Sequence, residues 1–266
     1  MTKEERDSFN KWIKGIPYEI AFWESYYGHG KSLNALKSWS DYGKECRLDD
    51  FDILGFVSSC NTSPLLIDLG CALSYTFGTG YGGKEVRVDR VDPLAMFYNR
   101  ILEHHAPEMP RIKFGMLETI SSEYEAGSVD FIHVRNALDH SANPVLGIME
   151  CLKCLRRGGV LYLNHHRNEA LRENYRGFHQ YNVDKADDNL IIWNNDARIN
   201  INETLAGIAT VKCTLTDQGH VVGVITKISD VPADTAPGTP ARMSEMLQLT
   251  VEAINSPAVS YTHLRA

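Results

Sequence analysis

The residues best suited to chemistry begin where an apolar run, Leu65–Leu69, meets Gly70. The run follows a polar segment and predicts a buried parallel strand. Gly70 predicts a sharp turn without a Cβ, which lets a ligand approach the backbone. Asp92 ends a second apolar run twenty-two residues after Gly70. A glycine turn after one strand and a carboxylate ending the next can hold a nucleoside, because the acid accepts hydrogen bonds from the ribose hydroxyls.

A second group of reactive residues follows the fourth and fifth predicted strands. His140 beside Asp139 is the first candidate for a general base, because imidazole titrates near neutrality and a carboxylate can orient it. Helix capping is the alternative for this pair. His165 and His166 leave the next strand, where neighbouring side chains point to opposite faces, so at most one reaches the same crevice. These four residues and Glu169 have no fixed ligand spacing, so no metal site is predicted.

Length and composition narrow the class of protein. The 266 residues can bury one sizeable core, and the net charge of −7 argues against a nucleic-acid partner. The sequence has no apolar run long enough to span a bilayer and no signal-peptide core at its start. Six scattered cysteines suit a reducing compartment. We therefore expect a cytoplasmic localisation.

Strands and helices are predicted to alternate over residues 61–165, which favours a parallel sheet covered on both faces. Gly158-Gly159 is expected to stop a helix before the fifth strand. Asp217-Gln218-Gly219 predicts a hairpin turn, so the sheet is expected to end in an antiparallel pair. The predicted strands are Leu65–Leu69, Val86–Val91, Arg111–Phe114, Ser128–Val134, Val160–Leu163, Asn189–Trp193, Gly207–Thr214 and Val221–Lys227, with helices at Pro93–His105 and Pro144–Leu155.

The flanking segments differ from this central region, 61–228. Residues 1–60 predict a helical cap, interrupted at Pro17, that packs on the sheet and can act as a lid. Residues 229–266 predict a linker and tail, of which 259–266 resemble vector read-through. The residues behind these predictions are Phe9, Trp12, Ile13 and Ile16 for the first helix, Trp23, Tyr26, Tyr27 and His29 near a pocket mouth, a further helix over Ser32–Trp39, and a short helix over Met243–Leu249.

Several motifs occur in the order and spacing of one family. Ile67–Ala72 and Val91–Leu94 resemble the first two motifs of the class I S-adenosylmethionine-dependent methyltransferases, and Val129–His140 resembles the segment that borders the methyl donor. Leu155–Leu161 is similar to the turn before that family's fifth strand. The resemblance covers about residues 61–228 and implies a Rossmann-like, doubly wound sheet that ends in an antiparallel hairpin.

The resemblance also implies a cofactor, S-adenosylmethionine, and a set of roles. Asp92 would bind the ribose, with a helix N-cap as the alternative, and Asn136 would face the methyl group. Asp68 would orient the donor's amino group or, equally, the turn itself. The implied donor-binding residues are Asp68, Gly70, Ala72, Asp92, Pro93, Met116, Leu117, Glu118 and Asn136, and the catalytic candidates are His140, Asp139 and His165.

Three positions depart from the family pattern. Ala72 stands where a glycine is usual, and Arg157 stands where the last turn has a proline. Met116 stands where an acid often bonds the adenine amine, so it would pack on the ring and leave polar contacts to Glu118 or to backbone groups.

The sequence thus predicts methyl transfer to a small polar acceptor, and the polar segment 165–182 suits a sugar or polysaccharide-precursor hydroxyl. A methyltransferase-like binding module without activity is the first alternative. An NAD-dependent oxidoreductase is the second, and it is disfavoured because the turn has one glycine of the three in that fingerprint.

Overall fold

A computed structural model describes residues 3–28, 43–74, 76–235 and 237–254. The expected helix over Ser32–Trp39, His29 at the pocket mouth and the final residues 259–266 lie outside the described residues. Among the described helices, none combines the length and apolar composition that a bilayer crossing requires.

Ten strands form two sheets. They are β1 (Leu65–Leu69), β2 (Arg87–Asp92), β3 (Lys113–Phe114), β4 (Val129–Arg135), β5 (Leu155–His166), β6 (Asn182–Ala186), β7 (Asn189–Trp193), β8 (Arg198–Asn200), β9 (Ala209–Leu215) and β10 (His220–Lys227).

The main sheet has seven strands in the order β3-β2-β1-β4-β5-β10-β9. β1 to β5 run parallel, and β10 pairs antiparallel with both β5 and β9. All five residues of β1 are buried, as expected for a strand covered on both faces. The predicted fold class is therefore confirmed: a Rossmann-like, mostly parallel sheet with an antiparallel terminal hairpin.

A second sheet contains β6, β7 and β8, all antiparallel. The predicted strand Asn189–Trp193 is present and belongs to this second sheet. This segment is β7, and its Leu190 and Ile192 are fully buried in the cluster that β5 and β10 also supply. The apolar run marks a buried strand, but its pairing partner depends on β6, which the sequence pattern does not show.

Helices cover the sheet on both faces. They are α1 (Lys3–Gly28), α2 (Ile53–Ser59), α3 (Ala95–His105), α4 (Pro144–Cys154), α5 (Glu169–Arg172), α6 (Ile201–Thr204) and α7 (Thr239–Ile254), with a 3₁₀ helix over Leu117–Ser122.

The predicted helical cap is present as α1, which continues through Pro17 without restarting. A proline inside a helix removes one backbone hydrogen bond. The buried stripe of Phe9, Trp12, Ile16 and Ile20 runs past that position and holds both halves in one helix. The expected break at Pro17 is therefore wrong, because tertiary packing outweighs the local signal.

The turn before the fifth strand also differs from expectation. α4 ends at Cys154, and Leu155 is already extended. Gly158, at φ +74°, lies inside β5, whose register with β4 shifts between Val129 and Phe131. The two glycines accommodate this irregularity and do not stop a helix.

Candidate functional site

A cavity of about 260 Å³ lies at the carboxyl ends of β1, β2 and β4. α1 and α7 cover it, and α7 contributes the buried Met246. Ligands of doubly wound sheets bind at this edge. The predicted short helix over Met243–Leu249 lies within α7 and supplies part of the cavity wall.

The turn after β1 forms the floor of the cavity. Gly70 has φ +69°, its N–H donates to the Val91 carbonyl at 2.8 Å, and a Cβ there would lie 2.4 Å from the Ala137 Cβ. Ala72 follows at φ +42° and also lines the cavity. Only glycine fits the first position, which agrees with its predicted role as the bare turn.

Asp92 joins this turn to the end of β2. Its Oδ2 accepts a hydrogen bond from the Ala72 N–H at 3.0 Å and its Oδ1 accepts one from the Leu94 N–H at 2.8 Å. Burial raises the pKa of Asp92 to about 7, and the negative charges of Glu19 and Asp68 add to the rise. A carboxylate has about four acceptor positions, so two remain for hydroxyl groups in the cavity. Pro93 lines the wall beside it.

The segment after β3 forms the opposite wall. Met116 and Leu117 line the cavity with apolar side chains. The Glu118 Oε1 accepts hydrogen bonds from the N–H groups of Ala142 and Asn143, at 2.6 and 3.0 Å. Burial raises the pKa of Glu118. Glu118 therefore anchors the start of α4 and also borders the cavity.

Asn136 lies at the exit of β4 and lines the cavity. It has φ +47°, and its Oδ1 accepts a hydrogen bond from the His166 N–H at 3.0 Å. The side chain therefore ties the end of β4 to the end of β5.

Asp68 occupies a different place from the one expected for a donor contact. It lies outside the cavity lining, with Oδ2 accepting from Arg90 Nη1 at 2.8 Å and Oδ1 2.8 Å from His133 Nδ1. Burial opposes ionisation, but the His133 hydrogen bond and the neighbouring cations lower the pKa of Asp68. The structure thus places Asp68 in a structural ion cluster, which agrees with its alternative role of stabilising the turn.

His140 lines the far end of the cavity, and the buried Asp139 lies behind it. The closest partner of Asp139 is His179, whose Nδ1 lies 2.8 Å from Asp139 Oδ2, while His140 Nε2 lies 3.5 Å from the same oxygen. Burial opposes ionisation of Asp139, but the His140 charge and the His179 hydrogen bond lower its pKa to about 2. The bond to Asp139 overcomes burial and raises the pKa of His179.

His165 does not reach the cavity. It is 1% exposed, and burial lowers its pKa to about 4. Its Nδ1 lies 3.9 Å from Asp139 Oδ1. The structure therefore places His165 behind Asp139, away from any position at which it would contact a substrate.

Sequence reasoning missed an aromatic wall. Trp12 stacks on Phe9 and on Phe178, with ring centroids 5.0 Å apart in both pairs, and all three rings line the cavity. Glu19 of α1 also lines it and accepts a hydrogen bond from Trp23 Nε1 at 2.8 Å. The helical spacing marked Phe9 and Trp12 as buried, but no pattern linked them to Phe178 or to His179.

Comparison with known proteins finds similarity in structure. No protein-family model matches the sequence, and no curated protein matches it. The solved structure of a Thermus thermophilus 16S rRNA methyltransferase, RsmC, in complex with AdoMet and guanosine shares 13% identity at a TM-score of 0.39, over 71% of this chain and 42% of that one.

Two further structures are similar at the same level. The CurJ carbon methyltransferase shares 14% identity at a TM-score of 0.46, over 65% of this chain and 51% of that one. An Aquifex aeolicus SAM-dependent methyltransferase shares 13% identity at a TM-score of 0.41, over 62% and 82%. The chain thus spans less than half of the rRNA enzyme and about half of CurJ.

The strand order gives this chain the Rossmann-like, mostly parallel sheet with an antiparallel terminal pair that the motif resemblance implies, and the residues at the strand ends line its cavity. These three neighbours are methyltransferases, and the RsmC structure contains AdoMet.

Proposed function

We propose that the protein binds S-adenosylmethionine and transfers its methyl group to a hydroxyl of a small polar acceptor. One observation carries the proposal: Asp92 is a buried carboxylate that borders an open cavity beside a bare glycine turn, with no cation among the described residues bonded to it. Within the part of the chain that the structure describes, no side chain fills the cavity.

The donor would lie along the strand ends. Its ribose hydroxyls would bond Asp92, its adenine would pack between Met116 and Leu117, and its body would rest on Gly70 and Ala72. The methyl group would then point toward Asn136. Apolar walls suit the transfer, because a sulfonium is a good leaving group and alignment in a dry site supplies most of the catalysis.

The acceptor would lie near His140, where its hydroxyl proton must be removed. In the transfer, His140 would take that proton as the acceptor oxygen bonds the methyl carbon. The carbon–sulfur bond breaks, and its electron pair stays on sulfur to give S-adenosylhomocysteine. Asp139 and His179 hold the imidazole of His140 at this end of the cavity.

A sugar-like acceptor fits this end because polar and aromatic groups meet there. His140 lies 5.7 Å from the Phe178 ring, which stacks on Trp12. Sugar rings commonly pack an apolar face on an aromatic ring while their hydroxyls find polar partners. The net charge of −7 disfavours RNA, the substrate named for the rRNA methyltransferase.

Thermal denaturation with S-adenosylhomocysteine and, separately, with NAD tests the donor. We expect stabilisation by the first only, by several degrees at a hundred times the Kd. Stabilisation by NAD alone would point to an oxidoreductase. Stabilisation by neither would favour a binding module without activity.

A variant tests the other end of the cavity. We expect His140→Ala to lower turnover and to leave the Kd for S-adenosylhomocysteine unchanged. Unchanged turnover would remove His140 from the mechanism.

A further inference from the structure

We propose that Asp139, His140 and His179 form a binding site for one divalent transition-metal ion at the acceptor end of the cavity. Three ligand atoms converge there: Asp139 Oδ2, His140 Nε2 and His179 Nδ1. The two nitrogens lie 3.2 Å apart, and they lie 3.5 Å (His140) and 2.8 Å (His179) from the oxygen. No fixed sequence spacing marks this group, because His179 is 39 residues beyond His140.

The triangle has the right size for a metal ion. Three atoms with these separations lie on a circle of radius about 1.9 Å, which is shorter than the ~2.0–2.1 Å bond between zinc and an imidazole nitrogen. A point just above their plane is therefore at bonding distance from all three atoms. The coordination positions on the far side of such an ion stay open for water or for a substrate oxygen.

The chemistry of the three ligands favours a particular class of ion. Two imidazole nitrogens and one carboxylate oxygen suit zinc, iron, manganese or cobalt, whereas magnesium prefers oxygen ligands alone. The side chains of His140 and His179 are 22% and 25% exposed, so an ion can enter from solvent. His140 also lines the cavity, so the ion would border the acceptor.

A second observation points to the same place. Both ring nitrogens of the buried His165 lack a hydrogen-bond partner within the described part of the chain. Its Nδ1 faces Asp139 Oδ1, the oxygen that the other two histidines do not approach, at 3.9 Å. Metal-binding carboxylates and histidines are commonly oriented by such an outer partner. Once Oδ2 binds an ion, Oδ1 is left to accept from His165.

The backbone holds the three ligands together. The N–H groups of Gln180 and Tyr181 donate to the Asp139 carbonyl at 2.9 and 3.3 Å, which fixes the His179 loop against the strand exit. The His140 N–H donates to the Ala137 carbonyl at 3.1 Å. The ligand positions are therefore preorganised by backbone hydrogen bonds and do not depend on a bound ion.

The use of such an ion rests on the proposed function. A hydroxyl that binds a divalent ion loses its proton more easily, because the positive charge stabilises the alkoxide. With an ion bound, His140 would be its ligand and not the base. The ion would acidify the acceptor hydroxyl, whose proton would pass to water at an open coordination position.

Metal binding is measured on the full chain after chelator treatment, by calorimetry and by metal analysis after gel filtration. We expect one Zn²⁺ or Mn²⁺ per chain and no comparable binding of Mg²⁺. His140→Ala and His179→Ala should each weaken binding by more than about tenfold. The matched control is a double variant, His104→Ala with His105→Ala. It removes a second histidine pair, whose ring centroids lie 4.6 Å apart, and it should bind the metal ion as the wild type does.

Stabilisation of each variant by S-adenosylhomocysteine reports separately on the fold and on the donor site. Metal loss with donor binding retained supports the site, and donor binding without any metal binding overturns it while leaving the proposed function intact. Equal metal binding by wild type and a His140→Ala, His179→Ala double variant also overturns it. If these variants do not fold, the NMR spectrum of the wild type with added Co²⁺ provides the test. Paramagnetic shifts of the His140 and His179 ring protons would support the site. Shifts at His104 and His105 alone would overturn it.

Discussion

Two buried acids, Asp68 and Asp92, end neighbouring strands and have opposite environments. Asp68 is 3% exposed, forms an ion pair with Arg90 and shares a hydrogen bond with His133. Asp92 is 5% exposed and accepts hydrogen bonds from backbone N–H groups. The pKa of Asp68 is lowered, whereas burial raises the pKa of Asp92 to about 7. The comparison teaches that a strand-end acid is available to a ligand only where the protein leaves its charge unneutralised.

Strand register explains the difference. Asp68 is level with Arg90 on β2 and with His133 on β4, so all three side chains lie on one face of the sheet. The pairing of β1 with β2 ends at Leu69 and Val91, and Asp92 lies one residue beyond it at the cavity edge. Asp92 therefore lies two register positions beyond the level of Asp68, and this distance separates the acid in the ion pair from the acid at the cavity edge.

Asp68→Asn should have the largest effect, and it should be on stability. Removing one partner leaves Arg90 and His133 buried beside an uncharged amide, which costs about 3–5 kcal/mol. For a chain of this size we expect the Tm to fall by roughly 10 °C. Thermal denaturation followed by circular dichroism measures it.

The matched control is Glu103→Gln, which breaks the exposed pair with Arg111 and should leave the Tm unchanged. An unaltered Tm for Asp68→Asn would contradict the ion cluster. A folded Asp68→Asn that no longer binds S-adenosylhomocysteine would instead show that this acid contacts the donor.

Asp92→Ala should affect binding more than stability. It removes a carboxylate hydrogen bond to the ribose worth about 1.5–3 kcal/mol, so the Kd for S-adenosylhomocysteine should rise by about tenfold or more. Calorimetric titration measures the Kd. An unaltered Kd would mean that Asp92 serves only to accept hydrogen bonds from the N–H groups of Ala72 and Leu94.

The pH dependence of donor binding should sharpen the contrast. Because the pKa of Asp92 is about 7 in the free protein and hydroxyl donors favour the ionised form, binding releases a proton below that pH. The Kd should therefore fall by about tenfold between pH 6 and pH 8 and then level off. The same raised pKa stabilises the free fold at low pH, and that stability is lost as the pH rises through about 7.

Two variants check this assignment. Asp92→Ala should give a Kd that varies little over the same range. Glu19→Gln removes one of the negative charges that raise the pKa of Asp92, so the midpoint should move to lower pH. A midpoint that stays in place in Glu19→Gln, or a wild-type Kd independent of pH, would mean that another group controls binding.

The sequence predicts strands better than it predicts partners. β1 has the predicted bounds because its apolar run lies between Pro64 and Gly70, two clear boundaries. Arg90 and His133 are visible as polar residues inside apolar strands, but their contact with Asp68 depends on register between strands far apart in the chain. Register is set by the packed sheet and not by any local pattern.

Most of the predicted donor residues line the cavity, because they follow strands whose carboxyl ends must meet at one edge. The surroundings of His140 at the far end of the cavity were predicted less well. Asp139 and His140 were found from their types, whereas His179 and Phe178 come from a loop between α5 and β6 whose path follows backbone bonds to the Asp139 carbonyl. Contacts of that kind leave no periodic trace in a sequence.

The roof of the cavity joins distant parts of the chain. Phe9 and Trp12 come from α1 and Met246 from α7, and Arg6 pairs with Glu245 where the two helices meet. A fragment trimmed to residues 61–228 would keep the strand-end acids and the glycine turn, yet it would expose a bound nucleoside to bulk water. Binding of a nucleoside therefore depends on α1 and α7 as well as on the sheet, although neither helix lies within the region that carries the motifs.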